Sequence, residues 1–180
     1  MSQTTLDIKE PGLNVLPPGV ERHVVNAGGL TGLQIFPDDE IEIINEEGNQ
    51  ICEIICFDKD GKSELGILNQ KENCKKSFIK ELLKCKDESS LITNLQLKKR
   101  NLDINKSKSS ILFDEQTPSG EKIKIKSKDK CYVIFAAPQN NMLVSEQNPS
   151  SDLTLYIKRY KIINDKELSI IPDPIYEPNY

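Results

Sequence analysis

The run Cys131-Tyr-Val-Ile-Phe-Ala-Ala137 constrains the fold of this chain more than any other stretch, because every position in it is apolar. A short run rich in β-branched and aromatic residues suits a strand covered on both faces, and it is too brief for a buried helix. Such a strand belongs at the centre of a sheet, with further layers above and below. Its partners are legible nearby. Leu153, Leu155 and Ile157 alternate with Thr154, Tyr156 and Lys158, which predicts a strand with one wet face. Lys122-Ile-Lys-Ile-Lys126 and Ile111 to Phe113 predict two more.

The N-terminal half carries the same signal in shorter pieces. The segment from His23 to Phe36 breaks at Gly28-Gly29, and Pro37-Asp38-Asp39 supplies a turn before Ile41 to Ile44, as in an antiparallel meander. Glu46-Glu47-Gly48-Asn49 then turns the chain back into Gln50 to Phe57. There Ile51, Glu53, Ile55 and Phe57 share one face, and Cys52, Ile54 and Cys56 the other. Between Asn73 and Lys86 the period changes: Phe78, Ile79, Leu82, Leu83 and Cys85 fall on one arc of a helical wheel, opposite Lys76, Lys80 and Lys84. The following SSLITNLQLKKR either adds a second helix capped by Ser89 or Ser90 or stays irregular, and residues 101 to 110 read as a loop.

The expected fold is therefore mainly β, an antiparallel β-sandwich or barrel-like domain with a helical insertion. Residues 1–20, with Pro11, Pro17 and Pro18, read as an extended arm; 21–165 as the β domain, with the insertion near 73–100; and 166–180 as a Pro-rich linker or tail. At 180 residues and 37% hydrophobic, the chain can supply one substantial core.

Several function classes are disfavoured by inventory. No apolar run is long enough to span a bilayer, and the first residues lack a secretory pattern, so no membrane association and a cytoplasmic location are expected. The 5 cysteines are odd in number and form no C-x-x-C pair, which fits a reducing compartment better than a disulfide framework or a zinc knuckle. The middle of the chain is basic, but its lysines alternate with acids and lack interleaved aromatics, so it reads as a solvated face and not a nucleic-acid surface. With His23 as the 1 histidine, and no G-x-S-x-G, P-loop or G-x-G-x-x-G, no metal site, no cofactor and no catalytic residue can be assigned.

Two polar features remain. Pro138-Gln139-Asn140-Asn141-Met142, after the most apolar strand, offers amides suited either to a turn or to a ligand. Glu53 places a carboxylate in a strand with apolar residues on both faces. An ionised group there must be paired with a basic or backbone donor, lie at a sheet edge, or face a ligand.

The stretch from Ala27-Gly28 through Pro37-Asp38-Asp39 to Glu47-Gly48-Asn49-Gln50, followed by Cys52-Glu53 and Phe57, resembles the first β-hairpin of the urea carboxylase-associated proteins. Similar modules stand in front of aminomethyltransferase domains of the glycine-cleavage T-protein type. The resemblance implies a noncatalytic β module, the N-terminal part or subunit of a one-carbon or amine-metabolism protein, with another domain or subunit as partner. Its alternative is a degenerate or heteromeric subunit of an enzyme acting on guanidino, ureido or amino compounds, with Asn49, Gln50 and Glu53 lining a pocket for a small amine or ureido ligand. Members with a metal-dependent role carry histidine and cysteine ligands downstream of this corner, whereas this chain has no histidine after His23.

Overall fold

The structure is a computed structural model, and it describes residues 16–84, 100–139 and 150–164. Its strands are β1 (Val20–Val25), β2 (Leu30–Ile35), β3 (Glu40–Asn45), β4 (Glu53–Phe57), β5 (Ser109–Ile111), β6 (Glu121–Lys126), β7 (Cys131–Ala136) and β8 (Leu153–Lys158). Between β4 and β5 lie a 3-10 turn at Leu65–Leu68 and helix α1 (Phe78–Lys84), and a short helix α2 (Tyr160–Asn164) follows β8. Most of the expected arm, the possible second helix and the expected tail lie outside the described residues.

Two four-stranded antiparallel sheets face each other, one in the order β1-β8-β3-β6 and the other β2-β7-β4-β5. The first strand pairs with the eighth, the second with the seventh, the third with the sixth and the fourth with the fifth. This is one long antiparallel hairpin wrapped around a core, the jelly-roll arrangement of a β-sandwich. The expected β-sandwich is observed, but the expected meander is not. β1, β2, β3 and β4 alternate between the sheets, so the corners after Val25, Ile35 and Asn45 cross from layer to layer instead of closing hairpins. The physical reason is burial: each early strand has at least one apolar face, and alternation lets all of them turn such a face inward.

The core follows from strand period. Val25, Leu33, Ile35, Ile41, Ile43, Ile54, Cys56, Val133, Phe135, Leu153, Leu155 and Ile157 fill the space between the sheets. The opposite face of the second sheet is also dry, because Ile79 and Leu83 of α1 pack on Ile55, Phe57, Tyr132 and Ile134. That explains why β4 and β7 are apolar on both faces.

Several boundaries differ from expectation. The helix expected from Asn73 begins only at Phe78. The strand expected at Gln50 begins only at Glu53, and the one expected at Ile111 to Phe113 is centred two residues earlier, at Ser109–Ile111. Ser109 and Ser110 are buried, and they pair with Ile55 and Ile54. Pairing with β4, not side-chain hydrophobicity, makes this a strand. No described helix is long and apolar enough to cross a membrane.

Candidate functional site

The corner between β3 and β4 collects the polar residues singled out above. Gly48 and Asn49 both adopt left-handed backbone angles, with φ of 78° and 59°. The turn is tied down from outside, as Asn49 N–H donates to Thr117 O at 2.8 Å. Asn45 then donates from Nδ2 to Gln50 O at 2.8 Å, closing the corner on itself.

Gln50 is fully buried and engages both ends of its amide. Nε2 donates to Ile51 O and Pro138 O, both at 2.9 Å, and Oε1 accepts from Ser151 N at 2.9 Å. One side chain thereby joins the corner to the end of β7 and the approach to β8. Pro138, the first residue of the polar cluster after the central strand, contributes its carbonyl here, and residues 140–142 of that cluster lie outside the described residues.

Glu53 points the other way, beneath α1. Its Oε2 accepts from Phe78 N at 2.9 Å and Ile79 N at 3.3 Å, and its Oε1 accepts the Ser77 hydroxyl at 2.5 Å. Ser77 is itself the helix cap: its Oγ accepts Lys80 N at 3.2 Å and the Ser109 hydroxyl at 3.1 Å. A hydroxyl chain thus runs from β5 through Ser77 to a carboxylate on β4. The amide N–H groups at the start of a helix have no intrahelical acceptor and carry partial positive charge, which is how a carboxylate in a dry strand is offset. Asn49, Gln50 and Glu53 lie close in sequence, yet Gln50 and Glu53 are committed to different partners.

A second polar cluster, at the other end of the sandwich, escaped the sequence reading. The Arg159 guanidinium pairs through Nε with Glu21, and through Nη1 with Asp39 Oδ2 and Gln34 O, each at 2.8 Å. Asp39 also accepts Phe36 N and Tyr160 N, both at 3.0 Å. His23, buried beside this pair, has its imidazole pKa pushed down by burial, with Glu21 opposing and Arg159 reinforcing the shift. Only the acidic turn at Asp38-Asp39 hinted at this cluster, since its members are scattered from position 21 to 159 and no local pattern links them.

Cys52 and Cys56 are poor nucleophiles in this setting. Burial, helped by the nearby Glu53 charge, pushes the Cys52 thiol well above its ordinary range. A hydrogen bond with Cys131, together with burial, does the same for Cys56. Thiols held this high stay protonated at neutral pH. Among the described residues no group of three or more His, Cys, Asp and Glu side chains is placed to hold a metal ion.

Comparison with known proteins gives one informative match. Trimethylamine-oxide aldolase of Ruegeria pomeroyi is 32% identical over 171 residues, which cover 95% of this chain. The chain spans 22% of that protein's length. No protein-family model matches, and no solved structure does.

Proposed function

We propose that this chain is a noncatalytic β module of an amine-metabolism protein, docking a catalytic domain or subunit instead of carrying out the chemistry. The amine setting is supported by the likeness to trimethylamine-oxide aldolase along nearly the whole chain. The observation that carries the noncatalytic role is the commitment of the candidate side chains. Gln50 donates and accepts within the fold at three backbone atoms, and the Glu53 carboxylate is engaged by Ser77, Phe78 and Ile79. A general base or a ligand-orienting amide needs an unengaged atom facing substrate. The partner this reading names is an aminomethyltransferase-like domain, as the resemblance of the β3–β4 corner implies.

Two measurements test it. The purified chain, incubated with trimethylamine oxide and followed by proton NMR, is expected to leave it unchanged. Consumption above the protein-free rate overturns the noncatalytic role. The chain is also expected to co-elute with the separately expressed remainder of the Ruegeria aldolase, outside the matching region, and failure to associate at micromolar concentrations overturns the docking role.

A further inference from the structure

β6 stands at the edge of the first sheet and β5 at the edge of the second, and a cleft of about 440 Å³ opens between β6 and the segment 112–118 that follows β5. Its apolar floor is accessible. Leu112 and Ile123 are half-buried, packed on the core yet partly open to solvent, with Phe113 buried beside them. One wall is held in place before any partner arrives. Asp114 N donates to Thr117 Oγ1 at 3.0 Å and Gln116 N to Asp114 Oδ1 at 2.9 Å, and Thr117 O accepts Asn49 N at 2.8 Å, which ties the wall to the β3–β4 corner. A preformed wall spares a partner the cost of ordering it.

The charge around this floor has one sign. Asp114 and Glu121 line the cleft and are exposed, and no lysine, arginine or histidine joins them among the described residues. Glu46 and Glu47, exposed as well, stand next to this rim, since the Ser119 hydroxyl donates to Glu46 O. Lys122, Lys124 and Lys126 belong to the opposite face of β6, because Ile123 and Ile125 turn toward the core. On that opposite face the charges match one another: Lys124 lies within 4.0 Å of both Glu40 and Glu42, and Lys158 lies 3.8 Å from Glu40. The outer face of the first sheet is thus paired within itself, whereas the cleft carries acids whose counter-charge the described residues do not supply. An apolar centre inside a charged rim is the make-up of a protein–protein contact.

We propose that this cleft is the docking surface of the module and that its occupant is an extended segment of the partner domain. An aliphatic side chain of that segment sits on Leu112 and Ile123, and lysine or arginine on either side of it faces Asp114 and Glu121. The assignment rests on the docking role above and adds where the contact is made and by what chemistry. Covering the apolar floor supplies the attraction, and the rim charges set the choice of partner and the rate of encounter.

The probe is the peptide acetyl-Lys-Leu-Lys-Leu-Lys-amide, titrated into the nitrogen-15-labelled full chain while its backbone amides are followed by NMR. Saturable shifts are expected for the amides of residues 112–123, with a Kd of roughly millimolar, as befits so short a segment. The acidic peptide acetyl-Glu-Leu-Glu-Leu-Glu-amide is expected to cause none, and acetyl-Lys-Ser-Lys-Ser-Lys-amide to bind about fivefold more weakly or worse. Glu121→Lys reverses a charge at an exposed position and is expected to weaken binding about tenfold, and to abolish co-elution with the Ruegeria aldolase remainder. Ile123→Thr keeps the β-branch but loses apolar surface, and a loss of about fivefold is expected. Should that variant fold poorly, Glu121→Lys decides.

Absence of a saturable shift with the lysine-leucine peptide, equal binding of the acidic or the serine peptide, or unchanged affinity in Glu121→Lys overturns the cleft as a docking surface. Tetramethylammonium saturating the same amides as tightly as the peptide overturns the protein occupant in favour of a small organic cation. Self-association in sedimentation that Glu121→Lys abolishes overturns it in favour of a second copy of this chain. Co-elution of the aldolase remainder with wild type and Glu121→Lys alike leaves the docking role standing and overturns this surface. Peptide binding in the cleft without such co-elution supports the chemistry of the cleft and overturns the docking role above.

Discussion

Glu53 shows how a single side chain can contradict its local pattern and still be required. Three donors converge on its carboxylate, two of them backbone N–H groups at the start of α1. Glu53→Gln preserves the shape but turns one end of the group into a donor facing other donors. It is expected to lower stability by about 1 to 3 kcal/mol in urea unfolding, the cost of leaving buried hydrogen-bonding groups unsatisfied. Unchanged stability together with lost binding of an amine or guanidino compound would instead make Glu53 a ligand residue. His23 supports a second expectation. Its folded pKa is lowered by burial, so in acid the unfolded chain takes up a proton that the folded chain resists. The contribution of His23 to stability is therefore full above the unfolded value of 6.5 and is lost as pH falls through the lower folded value. Between about pH 7.5 and about pH 5.5 the urea midpoint should drop, and His23→Gln should show a smaller drop.

The β3–β4 corner and α1 are elements whose local chemistry was legible and whose partners were not. The Glu-Gly-Asn sequence announces a tight turn, and the turn is there. Its strictness comes from elsewhere: a Cβ on Gly48 would sit 2.7 Å from Ser119 N and 2.9 Å from Thr117 O, backbone atoms that cannot rotate away. With φ at +78°, Gly48→Ala adds left-handed strain to that clash, and a loss of about 2 kcal/mol or more is expected in thermal or urea unfolding. A loss below about 0.5 kcal/mol would mean that the segment 117–119 yields. Helix α1 was visible from its 3.6-residue period, because an amphipathic helix writes its buried face into the sequence. The apolar pattern points to a strand two residues beyond β5 for the converse reason. Ser109 and Ser110 carry no apolar signature, and they are buried through pairing with β4 and through the Ser109–Ser77 bond.

At the scale of the molecule, the second sheet is the structural centre, dry on both faces and holding β7 between β2 and β4. Phe135 lies in β7 with no exposed surface, facing the first sheet. Phe135→Ala is expected to cost about 3 to 5 kcal/mol, the range for emptying a buried aromatic site, and a loss under about 1 kcal/mol in urea unfolding would move that strand to the surface. The exposed margin is managed differently. β6 stands at the edge of the first sheet and presents Lys122, Lys124 and Lys126, with Lys124 within 3.7 Å of Glu42 and Lys126 within 3.8 Å of Asp38. Pairs this exposed add little stability, but charge on an edge strand discourages pairing with another chain.

Periodicity alone determined that this chain forms strands, that Cys131 to Ala137 is central, that one amphipathic helix lies between strand groups, and that Glu53 needs a partner. All of these follow from interactions within a few residues or from the alternation of faces. Which strands pair was decided only in three dimensions. Nothing local distinguishes a corner that closes a hairpin from one that crosses to the opposite sheet, since both need the same glycine and asparagine angles. The choice is made by the burial of all inward faces at once, and it brings Arg159 to Asp39, Arg100 to Gln34 and α1 over Glu53. The groups in each pair are far apart in sequence, and their attraction acts only after the sheets have closed.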